Sequence, residues 1–420
     1  MPPIMTITAH STLNFEAAAR RLAAVVKPTP LQYHARLSQL YQAQVYLKRE
    51  DLQVVRSYKL RGAYNRMCQL TQQQAQKGVV CARAGTHARG VAFSCQQLKI
   101  PGPIFMRVSP PRKKVRKTRR WGGQWVNIQL VGDTFDDCAN AAQQWCSTSQ
   151  QTFIPPFDDY SVIEGQGTVG VEVAEELPHF EYLFVPVGGG GLSAGMGLYL
   201  KNRLPQLQII GCEPEGAPSM QQALLQGGPV TLNQIDRFVD GAAVKRVGNL
   251  TYPICQQVIN QMHLVPEGKI CSTILDLYNH DAIVAEPAGA LAVAALDAFA
   301  ENIKGKRVVC VISGSNNDID RMPEIKERSL QYEGLKHYFL IHFAQRPGAL
   351  RQFVTHVLGP TDDITRFEYM QKTNKEQGPA LVGIELEKKE DYQRLIHNLH
   401  QHQVDFAEIN KNDTLFGYLI

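Results

Sequence analysis

For roughly the first 320 residues, short apolar runs rich in β-formers alternate with amphipathic helical stretches, and this alternation leaves few folds open. Gly78–Ala82 precedes a helical stretch at Thr86–Gln97, and Ile104–Met106 precedes a strongly basic one. Val126–Val131 precedes Phe135–Trp145, and Tyr182–Val187 precedes Leu192–Lys201. Leu207–Gly211 and Arg307–Ile312 are further strands. Most of the runs are continuously apolar rather than alternating, as in strands covered on both faces. Such strands separated by helices predict an α/β fold with a mainly parallel sheet.

The tail follows a different pattern. An alternating strand at His337–Phe343 leads through Arg346-Pro347-Gly348 to a helix at Ala349–Val357. Strands at Ile364–Tyr369 and Leu381–Leu386, a helix at Glu390–His400 and closing strand material complete a βαββαβ order. That is one ferredoxin-like unit. The expected division is a first domain of residues 1–333 and a second of 334–420, with the boundary near Gly334.

Composition limits the classes of function. A net charge of +5 over 420 residues does not argue for nucleic acid. Arg107, Arg112, Lys113, Lys114, Arg116, Lys117, Arg119 and Arg120 form a local basic run with no acid among them, read as a solvated helix face that Gly122-Gly123 ends, with a phosphate-binding patch as the alternative. No run of ~20 apolar residues suggests a membrane span. Met1–Leu13 lacks the basic and apolar regions of a secretory signal. The nine cysteines are odd in number and form no C-x-x-C pair, so free thiols in a reducing cytoplasm are expected, with no structural metal site.

Four segments carry candidate chemistry. In Ser57-Tyr58-Lys59-Leu60-Arg61-Gly62-Ala63, Ser57 suits a helix cap and Lys59 falls in the first turn. The helix dipole and partial burial there both favour the neutral amine that Schiff-base chemistry needs. Tyr182–Val187 runs into Gly188, Gly189, Gly190 and Gly191, then Leu192 opens a helix. Backbone N–H groups without side chains at a helix N-terminus predict a phosphate site. The same glycines also match a dinucleotide fingerprint, with Glu213 about 20 residues on as its acidic partner, so an NAD(P)-binding oxidoreductase is an alternative. Ser313-Gly314 ends one buried strand, and Arg83-Ala84-Gly85-Thr86-His87 links another to a helix. Both are places where α/β folds hold ligands.

Together these segments resemble the fold-type II pyridoxal-phosphate enzymes, most closely threonine dehydratase (threonine ammonia-lyase). The resemblance continues through Phe153–Asp159, Gly165–Thr168, Gly211–Pro214, Asp240–Ala243 and Glu286–Ala290. In the tail, Gln345–Leu350 and Asp362–Tyr369 resemble the single ACT-like regulatory domain of the short biosynthetic form. The resemblance implies a tryptophan synthase β-like catalytic domain of two parallel α/β subdomains, the smaller at about residues 55–160 and inserted in the larger. It implies pyridoxal 5'-phosphate bonded to Lys59 and held by Thr86, Gly188–Gly191, Leu192 and Ser313. Arg83, Ala84, Gly85, Thr86 and His87 would bind the substrate carboxylate. The implied reaction turns L-threonine into 2-oxobutanoate and ammonia, the first step of isoleucine synthesis, with L-serine as a side substrate. A branched-chain amino-acid effector at the tail domain and a cytoplasmic homotetramer are implied as well.

The sequence departs from the family between Arg83 and Lys113. The usual Ser-Ala-Gly-Asn-His-Ala-Gln-Gly reads Arg83-Ala84-Gly85-Thr86-His87-Ala88-Arg89-Gly90, and Met106-Arg107-Val108-Ser109-Pro110-Pro111 replaces Met-Pro-x-Thr-Thr-Pro. A catalytically weak regulatory paralogue is therefore a second reading. One lost hydrogen bond to a charged group costs ~1.5–3 kcal/mol, roughly 10- to 150-fold in rate. Restoring Arg83→Ser and Thr86→Asn together is expected to raise turnover of threonine and serine. No gain from an inactive parent would favour the non-catalytic reading.

Overall fold

A computed structural model describes residues 13–82, 85–108, 112–133, 135–370 and 376–410. The chain divides into two compact units, Met1–Pro266 with Ala282–Asn317, and Glu267–Asp281 with Asp318–Ile420.

The first unit holds two sheets. Its larger sheet contains β1 (Leu31–Tyr33), β2 (Gln44–Arg49), β7 (Tyr182–Pro186), β8 (Gln208–Pro214), β9 (Gln261–Val265) and β10 (Arg307–Ile312), in the order β1-β2-β10-β7-β8-β9. Only the edge pair β1–β2 is antiparallel. The smaller sheet contains β3 (Val79–Ala82), β4 (Gly102–Met106), β5 (Val126–Leu130) and β6 (Thr152–Phe153), in the order β5-β4-β3-β6, all parallel. The strands expected from continuous apolar runs are present and buried along most of their length, except β5, whose residues are partly exposed. Because β10 lies between β2 and β7 and runs parallel to both, the chain after all three strands emerges at one edge of the sheet. That edge is where ligands gather in open α/β sheets.

The second unit carries β11 (Lys336–Ala344), β12 (Asp363–Tyr369), β13 (Gln377–Glu385) and β14 (Asp405–Glu408) in an antiparallel sheet of order β12-β13-β11-β14. With the helices Ala349–His356 and Asp391–Gln401 this completes the ferredoxin-like βαββαβ unit. Phe339, Ile341, Val382, Ile384, Leu395 and Leu399 fill its core. The helices Glu267–Asp281 and Met322–Tyr332 also belong to this unit. They pack closely, since a Cβ on Gly268 would lie 2.3 Å from Cβ of Tyr332. The second unit therefore takes in chain from before Gly334.

Within the first unit, the helix Lys59–Met67 is held against two neighbours at backbone distance. A Cβ on Gly165, in the helix Tyr160–Glu176, would lie 2.5 Å from the Arg61 carbonyl oxygen. One on Gly90, in the helix Thr86–Leu98, would lie 3.2 Å from the Lys59 carbonyl oxygen. A buried ion network locks the same helix. Arg61, 1% exposed, donates to both oxygens of Glu50 at 2.9 and 2.7 Å and to Glu172 at 2.6 and 2.9 Å. Lys48, fully buried, reaches Glu172 at 2.7 Å. Burial alone would weaken the Arg61 charge, but the two carboxylates outweigh it and raise its pKa. Removing one member strands the others without water. Arg61→Met is expected to cost about 3–5 kcal/mol, read as a lower urea midpoint by far-ultraviolet circular dichroism. An unchanged midpoint would mean that the network contributes no net stability.

Candidate active site

The glycine turn begins where β7 ends. Gly190 has φ +92°, which an L side chain rarely adopts, and Gly191 opens the helix Gly191–Arg203. The neighbouring glycines are needed for packing. A Cβ on Gly188 would lie 2.7 Å from the Ala242 carbonyl oxygen, and one on Gly189 would lie 2.2 Å from the Phe157 ring. The turn is tied down from behind. Thr251 Oγ1 donates to the Gly189 carbonyl at 2.5 Å. Asp158 accepts from the backbone N–H groups of Asn249 at 2.9 Å and Leu250 at 2.8 Å, next to the start of the helix Thr251–Val258. Asp159 caps the helix Tyr160–Glu176 through the Val162 N–H. The segment Phe153–Asp159 thus builds the wall of the turn and orients two helices.

Lys59 comes to this turn from the other side. It is the first residue of its helix, and Tyr58, not Ser57, takes the cap position without a side-chain bond. Ser57 instead accepts from the Lys59 N–H at 3.3 Å, because the Ser57 backbone is bridged to Gly314. Tyr58 N–H donates to the Ser313 carbonyl at 3.3 Å. These contacts seat the helix start on the end of β10. Lys59 is 8% exposed, and its Nζ donates to the Pro156 carbonyl at 3.0 Å.

Two hollows meet at Lys59. One is bounded by Tyr58, Phe157, the four glycines and Leu192. The other is bounded by Ser57, Thr86, Gly241, Ala242, Glu286 and Ser313. Lys59 and Gly188 line both. The sequence segments around Lys59, the glycines, Thr86 and Ser313, far apart in the chain, therefore face one site. Ser313 Oγ donates to the Ala288 carbonyl at 3.2 Å. Gly85, at φ +121°, precedes the helix that Thr86 opens. His87 is not brought to the hollows: it is buried, with Nε2 paired to the Ile154 carbonyl at 2.9 Å. The imidazole is thus engaged with Ile154, and the part expected of residue 87 in holding a carboxylate falls to its backbone N–H in the first turn of the helix. Arg83 and Ala84 lie outside the described residues.

Glu286 was not singled out from the sequence, apart from its place in a family segment. It precedes Pro287, the first residue of the helix Pro287–Ala294, a position that signals a helix start and nothing more. Burial pushes its carboxyl up to about 7, aided by Asp240. Glu213, the acid that a dinucleotide site would need at a ribose, is fully buried. Both of its oxygens accept backbone N–H groups, from Met220 at 2.7 Å and Gln221 at 2.9 Å, in the first turn of the helix Ser219–Gln226. That helix start occupies it, and the oxidoreductase alternative loses its acidic partner. Among the described residues no group of three or more His, Cys, Asp or Glu could hold a metal ion. All nine cysteines are free.

The donor set fits a phosphorylated aldehyde. A side-chain-free turn at a helix N-terminus suits the phosphate, and an amine in an adjoining hollow suits the aldehyde. A parallel α/β unit with these two features at one sheet edge has the architecture of a fold-type II pyridoxal-phosphate enzyme. Residues 22–314 match the family described as "Pyridoxal-phosphate dependent enzyme", and residues 327–419 match the "C-terminal regulatory domain of Threonine dehydratase". The chain is 54% identical over 404 residues to "L-threonine dehydratase biosynthetic IlvA" of Halalkalibacterium halodurans, covering 96% of this chain and 97% of the relative. It is 55% identical over 406 residues to the protein of that name from Bacillus subtilis, covering 96% of each. The solved processed form of threonine deaminase isoform 2 from Solanum lycopersicum is 38% identical, with a TM-score of 0.71 over 75% of this chain and 93% of that one. The chain belongs to the threonine dehydratase family of pyridoxal-phosphate dependent enzymes.

The Gly189 contact gives a direct test of the turn. Gly189→Ala must displace the Phe157 ring, a strain of about 1–3 kcal/mol. It is expected to raise the dissociation constant for pyridoxal phosphate about 10-fold or more, measured by fluorescence titration. Wild-type affinity would show that the turn does not bear on cofactor binding.

Proposed function

We propose that this chain is a threonine ammonia-lyase that converts L-threonine to 2-oxobutanoate and ammonia at the start of isoleucine synthesis, with L-serine as a lesser substrate. The observation that carries the proposal is the meeting of Lys59, the glycine turn and Ser313 at one pair of hollows. Bound pyridoxal phosphate supplies an electron-accepting ring that stabilises negative charge developing at the substrate Cα.

The chain's own residues do the rest. Backbone N–H groups at Gly188–Leu192 would hold the phosphate in the field of the helix Gly191–Arg203. Lys59 Nζ would hold the aldehyde, and its amine is the group placed to take the Cα proton. Its packing against Gly90 and its Pro156 contact limit where that amine can move. The Ser313 hydroxyl, in the second hollow, would face the ring and carries no charge of its own, which suits rapid elimination of the β-hydroxyl. Thr86 bounds the same hollow and offers a hydroxyl where the family has an amide. Gly85 and Thr86, with Arg83 and Ala84, would hold the substrate carboxylate. One water leaves across Cα–Cβ, and one returns when the released enamine hydrolyses, so threonine yields one 2-oxobutanoate and one ammonia.

The second unit is read as an effector domain. Its match to a threonine dehydratase regulatory domain supports amino-acid binding, and a branched-chain effector is the specific proposal. A groove of about 340 Å³ bounded by Lys326, Glu327, Lys336, Tyr338, Arg366 and Glu385 offers charges of both signs to such a ligand. Feedback needs only ~1–3 kcal/mol of coupling between two states. A homotetramer in the cytoplasm completes the proposal; free thiols accord with that compartment. The described residues contain no helix long and apolar enough to cross a membrane.

Purified protein with pyridoxal phosphate is expected to show a visible absorption band that borohydride removes, with the label on Lys59 by peptide mapping. Lys59→Ala is expected to lower threonine turnover by at least about 10²–10⁴-fold. A Lys59→Ala enzyme with wild-type turnover overturns the assignment.

A further inference from the structure

Glu286 is a carboxylate of the second hollow that the reaction described above does not use. It bounds the hollow that also contains Lys59, Thr86 and Ser313. Its carboxylate is fixed on one side. Oε2 accepts the Asn316 N–H at 3.1 Å, and Asn316 Nδ2 donates to the Val55 and Arg56 carbonyls at 3.1 Å each. Arg89 in turn donates to Asn316 Oδ1. The other oxygen, Oε1, is held close to two backbones that have no side chains. A Cβ on Gly314 would lie 2.5 Å from it, and one on Gly241 would lie 3.5 Å from it. Glycine at 314 therefore gives this oxygen its place, with Gly241 at ordinary contact distance.

We propose that Glu286 is a further functional residue of the same reaction, its Oε1 carrying a titratable proton at the ring end of the pocket, with Arg89 and Asn316 as positioning residues that set when that proton leaves. The proposal rests on the cofactor reading above. The balance is a plain acid–base one: Glu286 loses a proton to solvent as pH rises, and the pocket gains one negative charge. Neutral Glu286 adds no negative charge to the hollow that holds Lys59. Ionised Glu286 stabilises positive charge there.

The charged groups around Glu286 set the midpoint. Burial first and then Asp240 raise its pKa, Arg89, the Asn316 N–H and Lys114 lower it, and the balance is about 7. Asp240 and Lys114 are paired with each other at 2.6 Å. The folded-state pKa lies above the ordinary carboxylate value. The protonated form is therefore favoured by folding, and the stability it contributes fades as pH rises from about 4.5 through about 7.

The test is a pH titration of the absorption spectrum of the protein loaded with pyridoxal phosphate, alongside its cofactor dissociation constant. Wild type is expected to show a spectral transition near neutral pH that Glu286→Gln lacks and Glu286→Asp retains. Cofactor affinity in Glu286→Gln should stay within about threefold, because the phosphate is held elsewhere. Arg89→Gln is expected to move the midpoint up by about one pH unit, and Asp240→Asn to move it down. In kinetics, Glu286→Gln should lower kcat more than it changes KM and flatten the pH profile near neutrality. If Glu286→Gln does not fold, the opposite shifts of the Arg89 and Asp240 variants decide. A Glu286→Gln spectrum that titrates as wild type, or Arg89 and Asp240 variants that leave the midpoint in place, overturns the proposal while the cofactor reading stands. A wild-type protein that binds no cofactor overturns both.

Discussion

The site depends on how closely the Lys59 helix can approach its neighbours. Glycine at 165 and 90 lets helices meet its backbone where any side chain would hold them apart. Gly195 extends the same pattern to the next pair: a Cβ there would lie 2.4 Å from the Ile163 carbonyl oxygen. This chain of backbone contacts runs from the lysine helix through Tyr160–Glu176 to the helix that begins at the glycine turn. The amine and the phosphate cradle are therefore linked by a short, stiff path. Interiors packed at crystal-like density transmit a shift rather than absorb it.

The buried charges reinforce the same path. Arg61 sits two residues after Lys59 and is anchored by Glu50 and Glu172. Glu50 follows β2, and Glu172 lies on the helix Tyr160–Glu176. The network fixes the rotation of the lysine helix about its own axis, which glycine contacts alone would leave free. Buried ion pairs add little net stability over apolar packing, yet they are costly to break singly. That asymmetry suits a helix whose first residue must present one atom to one place.

The two ends of the pocket differ in electrostatics. At the glycine turn, backbone N–H groups and a helix N-terminus favour an anion without any formal positive charge. At the other end, Ser313 is neutral while Glu286 is ionisable, close to Asp240 and within the field of Arg89 and Lys114. A pocket neutral in one protonation state and anionic in the other can tune an electron-accepting ring by pH alone.

Much of this was legible in one dimension. The continuous strands, the tetraglycine turn after β7, the lysine at a helix start and the βαββαβ tail are local patterns, set by side-chain periodicity and backbone freedom. What lay beyond local pattern depended on contacts between distant segments. Placing β10 between β2 and β7 brought Ser313 beside the start of the Lys59 helix. His87 proved to be a partner of Ile154, and Glu213 a support for a helix start, because each side chain's direction follows from the rotation of its element in the packed unit. Glu286 read as a plain helix-start residue until Gly241, Gly314 and Asn316 were seen around it. The sequence by itself determined which segments could bind a phosphate or carry an amine, since those properties belong to the residues and their neighbours along the chain. The tertiary structure alone decided which charges face one another in the site, because burial and through-space distance, not chain separation, set a group's electrostatic surroundings.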